Sequence, residues 1–190
     1  MSGDKVLGMA GHREAANSRW IQVQLEGAVE RALKAGFSAF VTGGSEGTEV
    51  VFAQTVVNKR IELGVPCRLE VRLPYAGYSW RGMETLAPLL EEQDRVLHMD
   101  EELTAQGKRA HADKGVASVG KLFERTSTII ADSAAMVVVL DGRPHGMTAH
   151  TFNEARKRGI PVYWINPTMM EAQWLNVRTN RWGKGGRGTR

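Results

Sequence analysis

Apolar residues along the chain fall into two alternating rhythms. Short apolar runs occur at Lys5–Ala10 (KVLGMA), Phe37–Thr42 (FSAFVT), Arg95–Met99, Ala135–Leu140 (AMVVVL) and Val162–Asn166 (VYWIN). Their length and flanking glycines predict buried strands. Cys67–Leu73 (CRLEVRL) alternates polar with apolar residues, as a strand nearer a sheet edge does. The segments between repeat every three or four residues. Ile21, Leu25, Ala28, Val29, Ala32 and Leu33 predict a helix from Asn17 or Ser18 to Ala35, stopped by Gly36. Val50, Ala53, Val57 and Ile61 predict a second over Thr48–Leu63. Further helices are predicted over Met83–Gln93, Lys114–Ala131 and Thr148–Arg158. Asp100–Asp113 is polar and fits either a mobile excursion or a helical extension. Strands alternating with helices imply an α/β fold, a doubly wound and mainly parallel sheet with helices on both faces.

Composition narrows the function classes. A chain of 190 residues suits one domain with a real core. It divides into a folded part over 1–170 and a basic Gly/Arg-rich tail over 171–190, expected to be flexible. The net charge of +4 belongs to the end of that tail: residues 178–190 hold Arg178, Arg181, Lys184, Arg187 and Arg190 and no acid. Without those five, 20 basic residues face 21 acidic ones, so the body carries −1, which weakens the case for nucleic-acid binding by the whole domain. No run of 18 apolar residues marks a membrane span. The single cysteine, Cys67, gives no internal disulfide; with no signal-peptide pattern at the start, a cytoplasmic protein is expected.

Ligands of open parallel sheets bind beyond the C-terminal strand edge, and three loops predicted there carry chemistry. Gly11, His12 and Arg13 supply a flexible residue, a titratable imidazole and a guanidinium able to grip phosphate; the alternative is a solvated turn. Gly43, Gly44, Ser45 and Gly47 either bring bare backbone to an anion at a helix start or make a tight turn. Glu49 orients a ribose hydroxyl or complements the helix dipole. Asp141, Gly146, Met147 and Thr148 form a second cradle, with Thr148 as N-cap and ligand contact. Arg125, in a helix patterned for burial, needs a partner, either Asp132 or a bound phosphate. Trp80, with Tyr75 and Tyr78, stacks on a base or packs as a lid. His145 lacks neighbours at metal-ligand spacing, so no metal is expected, and no cofactor is required.

Together these segments resemble the SLOG superfamily of Rossmann-like nucleotide-binding domains, particularly its YpsA/YspA-like branch. The likeness rests on GHR at Gly11–Arg13, GGSEGTEVVFA at Gly43–Ala53 and LPY…W at Leu73–Trp80. RTSTIIADSAAMVVVLDG at Arg125–Gly142 and GMTAHTFNEARKRGIPVYWINP at Gly146–Pro167 extend it. The resemblance implies a nucleotide or nucleotide-derived ligand, bound by a sensor or sequestering protein, and pairing into a homodimer. Relatives include LOG-type N-glycosidic hydrolases and DprA, a single-stranded DNA binder, which would use the basic tail. Departures bear on activity. Glu49 stands for the branch's Asp and Met147 for a glycine. Thr151 occupies the position of the catalytic glutamate of related deoxyribosyltransferases. The expectation therefore leans away from an enzyme; if it is one, His12, Glu49 and Asp141 are the candidate acids and bases of a nucleotide hydrolase.

Overall fold

A computed structural model describes residues 4–75, 81–99 and 119–176. Its strands are β1 (Val6–Gly11), β2 (Ala39–Thr42), β3 (Arg68–Leu73), β4 (Arg95–His98), β5 (Ala135–Val139), β6 (Val162–Asn166) and β7 (Glu171–Leu175). The helices are α1 (Ser18–Lys34), α2 (Thr48–Leu63), α3 (Arg81–Leu86), α4 (Val119–Asp132) and α5 (Met147–Lys157). One sheet runs in the order β4-β3-β2-β1-β5-β6-β7, parallel except for β7, which lies antiparallel to β6. This is the doubly wound Rossmann-like α/β fold.

Period-two alternation divides the core. Ala135, Val137 and Val139 of β5 face the layer built from Ile21, Leu25 and Val29 of α1 and Phe52, Ala53 and Val56 of α2. Met136 and Val138 face the opposite layer, with Ile129 and Ile130 of α4 and Ala149 and Ala155 of α5. All five β5 residues are fully buried, as a central parallel strand requires. Helix α2 spans the residues its periodicity predicts and stops at Gly64 in the left-handed region (φ 61°).

On β3 the polar positions are buried as well. Leu69, Val71 and Leu73 enter the core, while Glu70 and Arg72 on the other face are 4% and 8% exposed. Arg72 bonds Glu70 at 2.7 Å and Asp132 of α4 at 2.6 Å. The alternation that marks a near-edge strand here encodes an ion-paired face beneath a helix. The neighbouring edge is clamped by Arg60 of α2. It holds Asp94 at 2.8 and 3.1 Å, while Asp94 also accepts the Leu69 N–H at 2.7 Å.

Several expectations are corrected. The helix predicted over Met83–Gln93 is α3 followed by one 3-10 turn, Ala87–Leu89; Pro88 has no N–H with which to continue it. The folded part extends beyond 170. Asn166 Oδ1 accepts the N–H groups of Thr168 and Met169, reversing the chain so that Glu171–Leu175 pairs with β6. Trp174 belongs to β7, with its ring 5.2 Å from that of Tyr163. Asp100–Asp113, residues 114–118 of the predicted fourth helix, and 177–190 lie outside the described residues. No helix among the described residues is long and apolar enough to cross a membrane.

Candidate functional site

From β1 the chain winds one way through β2, β3 and β4; it then returns beside β1 at β5 and winds the other way. Connections that diverge from adjacent strands leave a crevice at the C-terminal edge. A cavity of about 210 Å³ lies there. Strand β1 and its loop contribute Met9, Ala10, Gly11, His12 and Arg13; the second loop and α2 contribute Ser45 and Glu49. Helix α4 adds Leu122, Arg125, Thr126 and Ile129, and α5 adds Met147, Thr148 and Thr151. The three loops singled out in the sequence thus meet.

The first two loops are fastened to each other. The backbone N–H and hydroxyl of Thr48 both donate to the His12 carbonyl, at 3.3 and 2.9 Å. Gly47 adopts φ 81°, and a Cβ there would come 1.9 Å from the Arg13 carbonyl oxygen. Only glycine fits. Glu49, 5% exposed, folds back so that Oε2 accepts the Ser45 N–H at 2.8 Å.

Arg125 projects from α4 and is 5% exposed. One terminal nitrogen donates to the Gly43 carbonyl at 3.3 Å, and Nε has no partner among the described residues. No carboxylate of the described residues forms an ion pair with it. The sequence offered Asp132 as partner, but seven residues along a helix separate the two by about 10 Å. Asp132 turns to Arg72 instead. Gly43 is the counterpart of this packing: a Cβ there would lie 2.6 Å from the guanidinium carbon and 2.9 Å from Glu49 Oε2.

Helix α5 begins one turn-position earlier than expected. Its N-cap is Gly146 (φ 97°), not Thr148, and neither a side-chain cap nor a first-turn acid satisfies its leading N–H groups. Thr148 lies inside the first turn and is 9% exposed. The Thr151 hydroxyl donates to the Met147 carbonyl at 2.8 Å, so no carboxylate occupies that position.

Asp141 stands behind the lining rather than in it. Arg143 grips it through Nε at 2.7 Å and a terminal nitrogen at 2.6 Å, and the Arg143 N–H reaches Oδ1 at 3.1 Å. The Arg143 guanidinium thereby holds the carboxyl down to about 2. His12 Nε2 lies 3.1 Å from Asp141 Oδ1. Burial pushes the imidazole below its ordinary value, Asp141 opposes this, and Arg143 reinforces it. The ring is therefore neutral at pH 7. Facing an ionised carboxylate, Nε2 carries the proton, which leaves Nδ1 with the lone pair.

Of the residues singled out in the sequence, Gly11, His12, Arg13, Ser45, Glu49, Arg125, Met147 and Thr148 line the cavity. Gly43, Gly44, Gly47, Asp141 and Gly146 shape or support it from behind. Trp80 lies outside the described residues, as do the tail arginines on which DNA binding would depend. Sequence reasoning passed over the apolar wall, Met9, Leu122 and Ile129. The signal was present: Leu122, Arg125, Thr126 and Ile129 follow the i, i+3, i+4, i+7 spacing of one helix face.

No protein-family model matches the chain, and no curated protein matches it. Two solved structures of the molybdenum cofactor carrier protein from Chlamydomonas reinhardtii are similar to it. One is 15% identical, over 85% of this chain and 76% of the other, with a TM-score of 0.47. The second is 12% identical, over 88% and 93%, with a TM-score of 0.38. Likeness at this level carries no information about ligand or activity.

Proposed function

We propose that the chain binds a nucleotide or nucleotide-derived anion in this cavity, as a sensor or sequestering protein of the SLOG type. The observation that carries the reading is Arg125. A guanidinium 5% exposed that lines the cavity, bonded to one carbonyl and in no ion pair among the described residues, has donors to spare. A phosphate supplies charged acceptors for them. The uncapped start of α5 adds N–H donors and the positive end of a helix dipole on the same cavity. The cavity is smaller than the roughly 300–1,000 Å³ of pockets that enclose a whole drug-sized ligand. It suits the phosphate-bearing end of a nucleotide, with the remainder outside.

Titration calorimetry with mono-, di- and cyclic nucleotides, NAD and ADP-ribose tests this. At least one ligand should bind, and Arg125→Met should weaken it about 10- to 100-fold, the range of one charge-assisted hydrogen bond. Silence from the native protein across the panel would sink the proposal.

A further inference from the structure

The polar wall of the cavity has two halves of opposite hydrogen-bonding character. Arg125 and the leading N–H groups of α5 are donors. His12 and Glu49 are acceptors. The ionised Asp141 fixes the imidazole with its proton on Nε2, so Nδ1 presents a lone pair, and no described residue bonds to it. Glu49 gives Oε2 to the Ser45 N–H, while its other oxygen accepts no hydrogen bond among the described residues. That carboxylate is 5% exposed and lines the cavity.

A bare oxyanion satisfies only the donor half, since its own lone pairs repel the acceptors. A ligand that satisfies both halves carries an anionic group and hydroxyl hydrogens within a few ångströms of each other. Building on the nucleotide reading, we infer that the cavity selects the ribose phosphate end of a ribonucleotide, with its free hydroxyls donating to His12 Nδ1 and Glu49. Asp141 and Arg143 act as positioning residues: they touch no ligand and fix which imidazole nitrogen is the acceptor. A site built to receive a hydroxyl discriminates strongly against the analogue without it, because its buried acceptor is then left unpaired.

The test is calorimetric titration of the full chain with ribose 5-phosphate, the 5′-monophosphates of adenosine, 2′-deoxyadenosine and 3′-deoxyadenosine, adenosine, and inorganic phosphate. Removing one ribose hydroxyl should weaken binding about tenfold or more. Ribose 5-phosphate should bind more tightly than inorganic phosphate. Glu49→Gln, whose amide oxygen keeps the Ser45 contact, should bring the ribo-to-deoxy ratio close to unity for one of the two deoxy monophosphates, while His12 keeps the discrimination against the other. Equal affinity for the ribo and both deoxy monophosphates in the native protein overturns this inference and leaves the anion-binding reading standing. No binding by any phosphate ligand, or adenosine binding as tightly as its monophosphate, overturns both. The native comparison decides the matter even if the Glu49 variant fails to fold.

Discussion

Two arginines, Arg72 and Arg125, are buried to nearly the same degree, at 8% and 5% exposure. Their surroundings differ. Arg72 sits among its own counter-ions, bonded to Glu70 on the same strand and Asp132 across on α4. Arg125, two helical turns before Asp132 on that same helix face, has a single carbonyl and an idle Nε. Arg60 and Arg68 also leave Nε unpartnered, yet each pairs with a carboxylate, Asp94 and Asp4 respectively. The lesson concerns completeness: a cation ion-paired by the fold serves the fold, and donors left open on a cavity wall are available to something else.

The sharpest way to break this comparison is to truncate both arginines. Arg72→Met leaves Glu70 buried without a counter-charge and should destabilise the protein by about 3 kcal/mol in urea denaturation. That value is at the low end for a broken buried pair, because Asp132 remains half solvated. Nucleotide binding measured below the transition should be unchanged. Arg125→Met should do the reverse, weakening binding about 10- to 100-fold with stability held within about 1 kcal/mol or raised. Equal stability losses in the two variants would erase the distinction.

Gly43→Ala sharpens it further. The new methyl would meet the Arg125 guanidinium at 2.6 Å, so the side chain must shift. Overpacking of this kind costs about 1–2 kcal/mol, and affinity should fall with it while Arg72 is untouched.

The smallest effect is with pH. Asp141 has a folded value near 2 against an ordinary 3.8, so its contribution to stability is present above 3.8 and lost as pH falls towards 2. His12 is also depressed, below 6.5, and the unfolded chain takes up its proton first; stability therefore declines as pH drops from 6.5. Both act in the same direction. Asp141→Asn should flatten the acid limb, and a nitrogen NMR titration of His12 should show the loss of its fixed tautomer.

Much of this was legible in the chain. Element order, the limits of α2 and β6, and the meeting of three loops followed from periodicity and from the rule for parallel sheets. What was not legible depended on tertiary partners. EAQWL at Glu171–Leu175 holds no β-branched residue and alternates over only four positions, too little to announce a strand, and it is placed by pairing with the edge of β6. Asp132 looked like a partner for Arg125 because the two share a helix face, yet the closer cation lies on β3, which no local pattern reports. Thr148 fits the N-cap preference by residue type, but Gly146 reaches a positive φ more cheaply and takes the position.

The double grip of Thr48 on the His12 carbonyl has a kinetic meaning. Two rims of the cavity are joined before any visitor arrives, so little freezing of chain accompanies capture. Association should then proceed at a rate set by encounter rather than by folding of the rims, and differences among ligands should surface in how slowly each one leaves.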